Sequence, residues 1–254
     1  MCTAVILRRP GHAWPILVAA NRDEMLDRPT RGPARHWPDR TNVVAGLDEL
    51  AGGTWLGLND EGVVAGVMNR RGSLGPVEGV RSRGELVLEA LDHADAREAA
   101  QALAHLDARS YRAFNLFVAD NRDAYWLKGL GREGPGTVQL FELPPGLSMM
   151  TAYDRNDTGS VRISTYLPRF ERAAVPDPEA GDWAAWQSLL ASREVEGNGG
   201  EEGAMTIVTE RGFGTVSSSL IALPTIESAR KRPVWLYATG RPDQARYEPV
   251  NLGA

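Results

Sequence analysis

Apolar runs and turn-forming clusters alternate at strand spacing through the amino-terminal part of the chain. Thr3 to Leu7 is an apolar run, Pro10-Gly11-His12 interrupts it, and Trp14 to Ala20 is apolar without a break, which predicts a β-hairpin. Continuous apolar runs of this length suit strands covered on both faces. After an Arg/Pro-rich loop, Asp27 to Arg40, further strands are expected at Val43 to Gly46, Thr54 to Leu58 and Val63 to Val67. Asn59-Asp60-Glu61-Gly62 supplies a turn between the last two. These strands read as consecutive antiparallel neighbours. Helical periodicity starts at Ser82, three residues before Glu85 in capping-box spacing, and runs to about Leu91. Asp95 is placed to cap a second helix through Leu106.

Strands are expected again at Phe114–Ala119, Ala124–Lys128, Val138–Leu143 and Leu147–Thr151, then helices at Ser164–Ala174 and Asp182–Glu194. Glu196 to Gly203 reads as an exposed loop, and Met205–Thr209, Thr215–Leu223 and Val234–Thr239 as closing strands. Strands, helices, strands, helices, strands, with no steady βαβ alternation, favour an α+β fold with largely antiparallel sheets. About ten strands exceed one comfortable open sheet. We therefore expect two stacked sheets with helices outside, in a single domain spanning 1–254.

Composition narrows the classes. The 254 residues are 43% hydrophobic and 24% charged, values of an ordinary globular chain. The longest apolar run, Trp14 to Ala20, falls far short of the roughly 20 residues a membrane-spanning helix needs. No secretory signal pattern opens the chain, so a cytoplasmic location is expected. A net charge of −5 argues against a nucleic-acid binder. There is no phosphate-binding Gly-rich loop, no His-Glu-x-x-His helix and no Gly-x-Ser-x-Gly elbow. His12, His36, His93 and His105 have no ligand spacing, so neither metal nor cofactor is expected.

The single cysteine, Cys2, follows the initiator methionine. If Met1 is removed, one residue carries both a thiol and a free amine that titrate close together, a base and a nucleophile without a distant histidine. A processed Cys2 is expected to titrate below free cysteine and to react with iodoacetamide. The bland alternative is a small buried hydrophobe. The second feature is Asn21-Arg22-Asp23-Glu24 at the end of the hairpin's second strand, where it can meet Cys2 at one sheet edge. Strand alternation puts Asn21 and Asp23 on one face and Arg22 and Glu24 on the other. Asp23 can hold an ammonium or thiol; Arg22 can pair with Glu24 or with a substrate carboxylate. The alternative is a turn, as expected for Asn121-Arg122-Asp123. Arg70, Arg71, Arg81 and Arg83 read either as solvated or salt-bridged side chains, or as a rim attracting an anionic acyl ligand. Arg230-Lys231-Arg232 reads as solvated, and Trp55 as core.

Met1-Cys2, Ala20 to Glu24, Arg28-Pro29, Gly52 to Gly57, Asn69, Arg83 to Val87 and Phe114-Asn115-Leu116 together resemble the NRDE family, whose eukaryotic members are called transport and Golgi organisation protein 2. That family is similar to N-terminal nucleophile hydrolases, so the resemblance implies a four-layer αββα sandwich. The chain also looks, more distantly, like choloylglycine hydrolases and penicillin V acylases. This likeness implies Cys2 as nucleophile, Asp23 as catalytic aspartate and Asn69 as oxyanion donor, and matches Arg169 to a further arginine; Asn21, Arg22 and Arg169 are the candidate binding residues. Two departures stand out: Ala20 lies where those enzymes carry an arginine, and a second asparagine is replaced near Ala152. The favoured reading is a cysteine amidohydrolase acting on a linear amide of a small acyl substrate. The alternatives are a lipid- or haem-handling protein on the same fold and an interaction protein with an inert Cys2.

Overall fold

The computed structural model describes residues 2–75, 77–195, 200–227 and 231–253. Met1, part of the Glu196-to-Gly203 loop and Arg230 lie outside the described residues. The chain divides into two compact units, 1–28 with 145–250 and 29–144 with 251–254.

The first unit is built from both ends of the chain. Its sheet comprises β1 (Thr3–Arg8), β2 (Ile16–Met25), β10 (Gly146–Met150), β11 (Phe213–Leu223), β12 (Val234–Thr239) and β13 (Tyr247–Pro249), in the order β10-β1-β2-β11-β12-β13. All neighbours pair antiparallel, and β1 meets β2 in the expected hairpin from Thr3↔Asn21 to Arg8↔Ile16. Two helices, α3 (Val161–Arg172) and α4 (Ala184–Leu190), cover one face. Val5, Leu17, Ala19 and Leu220 from the sheet bury against Ile163, Tyr166 and Phe170 of α3 and Trp186 and Leu190 of α4. Phe170 and Trp186 meet edge to face at 5.4 Å, the arrangement the ring quadrupoles favour.

The second unit holds β3 (Thr30–Ala34), β4 (Val43–Asp48), β5 (Leu56–Asn59), β6 (Val64–Asn69), β7 (Phe114–Ala119), β8 (Ala124–Gly129) and β9 (Val138–Glu142), paired antiparallel in chain order. Helices α1 (Gly84–Leu91) and α2 (Ala96–Ala104) bury Leu86, Leu91, Ala99 and Leu103 against Ala45, Ala65, Leu116 and Leu127. Asp95 caps α2 as expected, accepting from the Glu98 N–H at 2.8 Å. The expected capping box at α1 is different. Ser82 accepts from the Gly84 N–H, while Glu85 turns to Arg81, so no side chain caps the helix at Arg83. Among the described residues no helix is long and apolar enough to cross a membrane.

Several expectations are corrected by contacts no local pattern reveals. The early strands are not one run of neighbours: β2 pairs with β11, and β3 opens the other sheet. Met205–Thr209 is reduced to a single antiparallel bridge, Val208↔Gly214, because the start of the segment is engaged elsewhere. The Met205 carbonyl accepts from Asn21, and the Thr206 N–H donates to the Ser192 carbonyl. The helix read at Asp182–Glu194 is only Ala184–Leu190, with Trp186 and Leu190 buried as its periodicity predicts. Strand β13 had no apolar run to announce it.

Candidate functional site

Strand β2 does not end at Ala20 but continues through Met25, so Asn21-Arg22-Asp23-Glu24 is strand rather than turn. The Asn121-Arg122-Asp123 segment is the turn, held by Asp120 Oδ1 accepting from the N–H groups of Arg122 and Asp123. In β2 the alternation puts Asn21 and Asp23 toward the helices. Asn21 is fully engaged there: Nδ2 donates to the carbonyls of Leu190 and Met205 at 3.0 and 2.9 Å, and Oδ1 accepts from Ser218 Oγ at 2.6 Å. It ties β2 to the end of α4 and to the segment before β11.

Asp23 is buried among donors. Its Oδ2 accepts from Arg162 Nη1 at 2.9 Å and its Oδ1 from Thr215 Oγ1 at 2.6 Å. Arg162, in the first turn of α3, also donates to Thr3 Oγ1 at 2.6 Å, and both ion-pair side chains are nearly inaccessible, at 2% and 0%. A buried ion pair that also engages the hydroxyls of Thr3 and Thr215 holds geometry well, because each charge would be costly to leave alone. Arg162 is the residue missed from sequence. Its only signal was its position two residues after Ser160, which caps α3 by accepting from the Ile163 N–H.

Cys2 precedes β1, and extending the Thr3↔Asn21 register by one places it opposite Arg22, on the face turned away from α3 and α4. Its Sγ donates to the Asp23 carbonyl at 3.7 Å. Asp23 therefore touches the thiol through its backbone while its carboxylate serves Arg162 and Thr215. Burial pushes the Cys2 thiol above its usual pKa, and the Asp23 charge adds to this. The chain's amino terminus, the Asp23 hydrogen bond and Arg22 oppose it without winning. The lowered value is expected of the processed residue, whose free amine lies on Cys2 itself. With Met1 retained, iodoacetamide should alkylate Cys2 more slowly than free cysteine at neutral pH, with the rate rising about tenfold per pH unit as thiolate forms. Peptide mass spectrometry across pH 6 to 9 checks this; a plateau already reached near neutrality is the contrary result.

On the same face Arg22 stands opposite Ser217, and Ser217 opposite Thr239. The β-bulge at Val216 creates this arrangement. Asp23 faces Thr215 and Arg22 faces Ser217, so the extra residue lets two hydroxyls of one strand serve opposite faces. Tyr237, two positions from Thr239, is hydrogen-bonded by Ser217. Burial raises its pKa, with the Ser217 bond and the Arg22 charge opposing. Glu24 Oε1 accepts from the Met25 N–H and its Oε2 lies 3.9 Å from Arg28 Nε.

The remaining candidates take other places. Arg169 is two turns along α3 from Arg162, ion-paired with Glu194 and lying over the Tyr166 ring. Asn69 ends β6 in the second unit, opposite Phe114 and half-buried. Arg81 pairs with Glu85 and Glu89, and Arg83 donates to the carbonyls of Ser73 and Ala113, so both act in folding the loop before α1. Arg70 donates to Asn115 Oδ1 at 2.7 Å. Ala152 is buried, and the nearby Asn156 bonds the β10 backbone at Met149 and Leu147. Among the described residues no three His, Cys, Asp or Glu side chains gather as a metal site.

This fold occurs in solved structures of low sequence identity. An N-acylethanolamine-hydrolyzing acid amidase ortholog from Caenorhabditis elegans superposes with a TM-score of 0.59 at 14% identity, over 98% of this chain and 100% of that one. A single-residue variant of conjugated bile acid hydrolase from Clostridium perfringens gives 0.56 at 13% identity, over 100% and 94%. Penicillin V acylase from Agrobacterium tumefaciens gives 0.51 at 15%, over 94% and 83%. The chain thus has the α+β fold of the N-terminal nucleophile hydrolases. In sequence, a Transport and Golgi organization protein 2 homolog from Bos taurus is 37% identical over 118 residues, and one from Homo sapiens 33% over 114. Each match covers 43% of this chain and 40% of the relative's length. The profile of the family described as Transport and Golgi organisation 2 matches residues 1–150. This chain belongs to that family.

Proposed function

We propose that the chain is a cysteine N-terminal nucleophile amidohydrolase that cleaves a linear amide of a small acyl substrate. The observation that carries this is Cys2 immediately before β1, its thiol on the Asp23 carbonyl and a buried arginine directly opposite, in a chain with the fold of known amidases. Removal of Met1 frees the α-amine of Cys2. That amine takes the thiol proton, Sγ attacks the carbonyl carbon, and the proton passes to the departing nitrogen as the carbon–nitrogen bond breaks. Water then adds to the thioester, releasing the carboxylic acid and restoring the thiol. Asp23, through its carbonyl and its ion pair with Arg162, is a positioning residue. The family resemblance adds Asn69 as oxyanion donor; Asn69→Ala should then lower kcat by ~10²-fold or more with little change in KM.

Intact-mass measurement of the protein from cells, followed by a panel of acyl p-nitroanilides with the wild type and Cys2→Ala, tests the reading. Loss of Met1 and hydrolysis that vanishes in Cys2→Ala are expected. Retained Met1 with no turnover overturns it in favour of the ligand-handling reading, which the relatives' names carry by speaking of transport and Golgi organisation.

A further inference from the structure

Strand β1 lies between β2 and β10, so the Cys2 end of β1 has a neighbour on each side. On the β2 side the neighbour is Arg22. On the other side β10 runs antiparallel to β1, and the chain leaving Met150 continues toward the end of the sheet where Cys2 lies. Thr151 and Ala152, the first residues of that continuation, are buried at 1% and 2% exposure. The segment then turns and enters α3 at Ser160, which caps the helix whose Arg162 bonds both Thr3 and Asp23. Residues 151–160 thus begin and end near Cys2.

Between those ends the segment folds back onto β10 through Asn156. Its N–H donates to the Met149 carbonyl at 2.9 Å, and its Oδ1 accepts from the Met149 N–H at 2.7 Å. Its Nδ2 donates to the Leu147 carbonyl at 3.3 Å. Strand β10 is an edge strand, and this one residue stands where a further strand would pair. To do so Asn156 adopts a φ of 56°, the one positive φ outside glycine among the described residues. Asparagine tolerates that conformation better than most residues, and the surrounding hydrogen bonds hold it there.

We propose that residues 151–160 form a strap that governs access to the Cys2 thiol, with Asn156 as its latch. Asn156 is a positioning residue, and its role is the same whether the thiol is a nucleophile or serves a ligand-handling protein. Opening the strap uncovers the β10 side of Cys2 while β1 stays paired with β2. Burial is the largest influence on the thiol, so opening both admits a reagent and eases formation of the thiolate.

Alkylation of Cys2 by iodoacetamide in the full chain, timed by peptide mass spectrometry at one pH, reads the opening. Asn156→Gly keeps the left-handed backbone and its N–H but removes both side-chain hydrogen bonds. Their loss should raise the open population, and with it the labelling rate, by ~10-fold or more. Asn156→Asp restores the acceptor for the Met149 N–H and should fall between the two. Gly53→Ala, a destabilised control in the second unit, should label at the wild-type rate. Equal rates in wild type and Asn156→Gly, or a rise as large in Gly53→Ala, would overturn the proposal. Native-state hydrogen exchange of the wild type tests it without any variant. The Met149 and Asn156 amides should exchange through an opening smaller than global unfolding, with the same free energy as Cys2 labelling. Labelling that does not share such an opening with these amides overturns the proposal as well.

Discussion

Replacing Asp23 with alanine should cost the protein about 3–5 kcal/mol, the range for breaking one side of a buried ion pair. The carboxylate is fully enclosed, and its two oxygens accept from Arg162 and from Thr215, which is 192 residues away in sequence. Truncation leaves the Arg162 guanidinium facing an emptied site while it still bonds Thr3 and the Glu202 carbonyl. The double variant Asp23→Leu with Arg162→Met should recover most of the loss, because paired apolar side chains of similar volume carry no desolvation cost. Urea unfolding monitored by fluorescence measures both, read as a shift in midpoint at constant slope. A single variant as stable as the wild type would mean that Asp23 is not the pin between β1, β2, β11 and α3.

The second large effect is expected at Gly53→Ala, a position with no polar chemistry. A Cβ there would lie 2.7 Å from the Gly84 carbonyl carbon and 2.9 Å from its Cα; one on Gly84 would lie 2.9 Å from the Thr54 nitrogen. Both obstacles are backbone, so neither can rotate away, and the Thr54 N–H to Gly84 carbonyl bond is made across the same contact. Overpacking of this kind costs about 1–3 kcal/mol, and the upper end is expected where two main chains meet. Thermal unfolding of Gly53→Ala beside Gly52→Ala separates contact from conformation. Gly52 has open space around its Cβ position and a φ of 70°, so alanine there is penalised only by its left-handed backbone. A Gly53 variant no less stable than the Gly52 variant would remove the close-approach explanation.

These residues also show what the sequence made legible. The hairpin of β1 and β2, the α2 cap at Asp95 and the buried face of α4 follow from periodicity and turn chemistry, which act over a few residues. Asn21 and Asp23 were recognisable as a pair on one face, since alternation is a local rule. Their partners were not: Arg162, Thr215 and Ser218 are far away in sequence, and nothing in the run from Gly159 to Arg172 separates Arg162 from Arg169 before α3 is docked. The bulge at Val216 was equally hidden. A run of serines and threonines is strand-compatible in either register, and only Asp23 on one side and Arg22 on the other decide where the extra residue falls. Gly53 and Gly84 lie in motifs of the family, and what makes them glycine shows only in their mutual approach.

The construction of the first unit from both chain ends also sets an order of events during synthesis. The second unit is contiguous apart from its last few residues and pairs its strands in chain order, so its contacts are local and can form while translation continues. Strand β2, by contrast, gains its neighbour β11 only after residue 223 has emerged, roughly 10–40 s later at ordinary elongation rates. Until then Asp23 has neither Thr215 nor a docked Arg162, and the amino terminus hangs from an incomplete sheet. Removal of Met1 by an aminopeptidase would have this interval in which to act on an extended, accessible end. Once β11 pairs with β2, Thr215 and a docked Arg162 hold Asp23, whose carbonyl accepts from the Cys2 thiol.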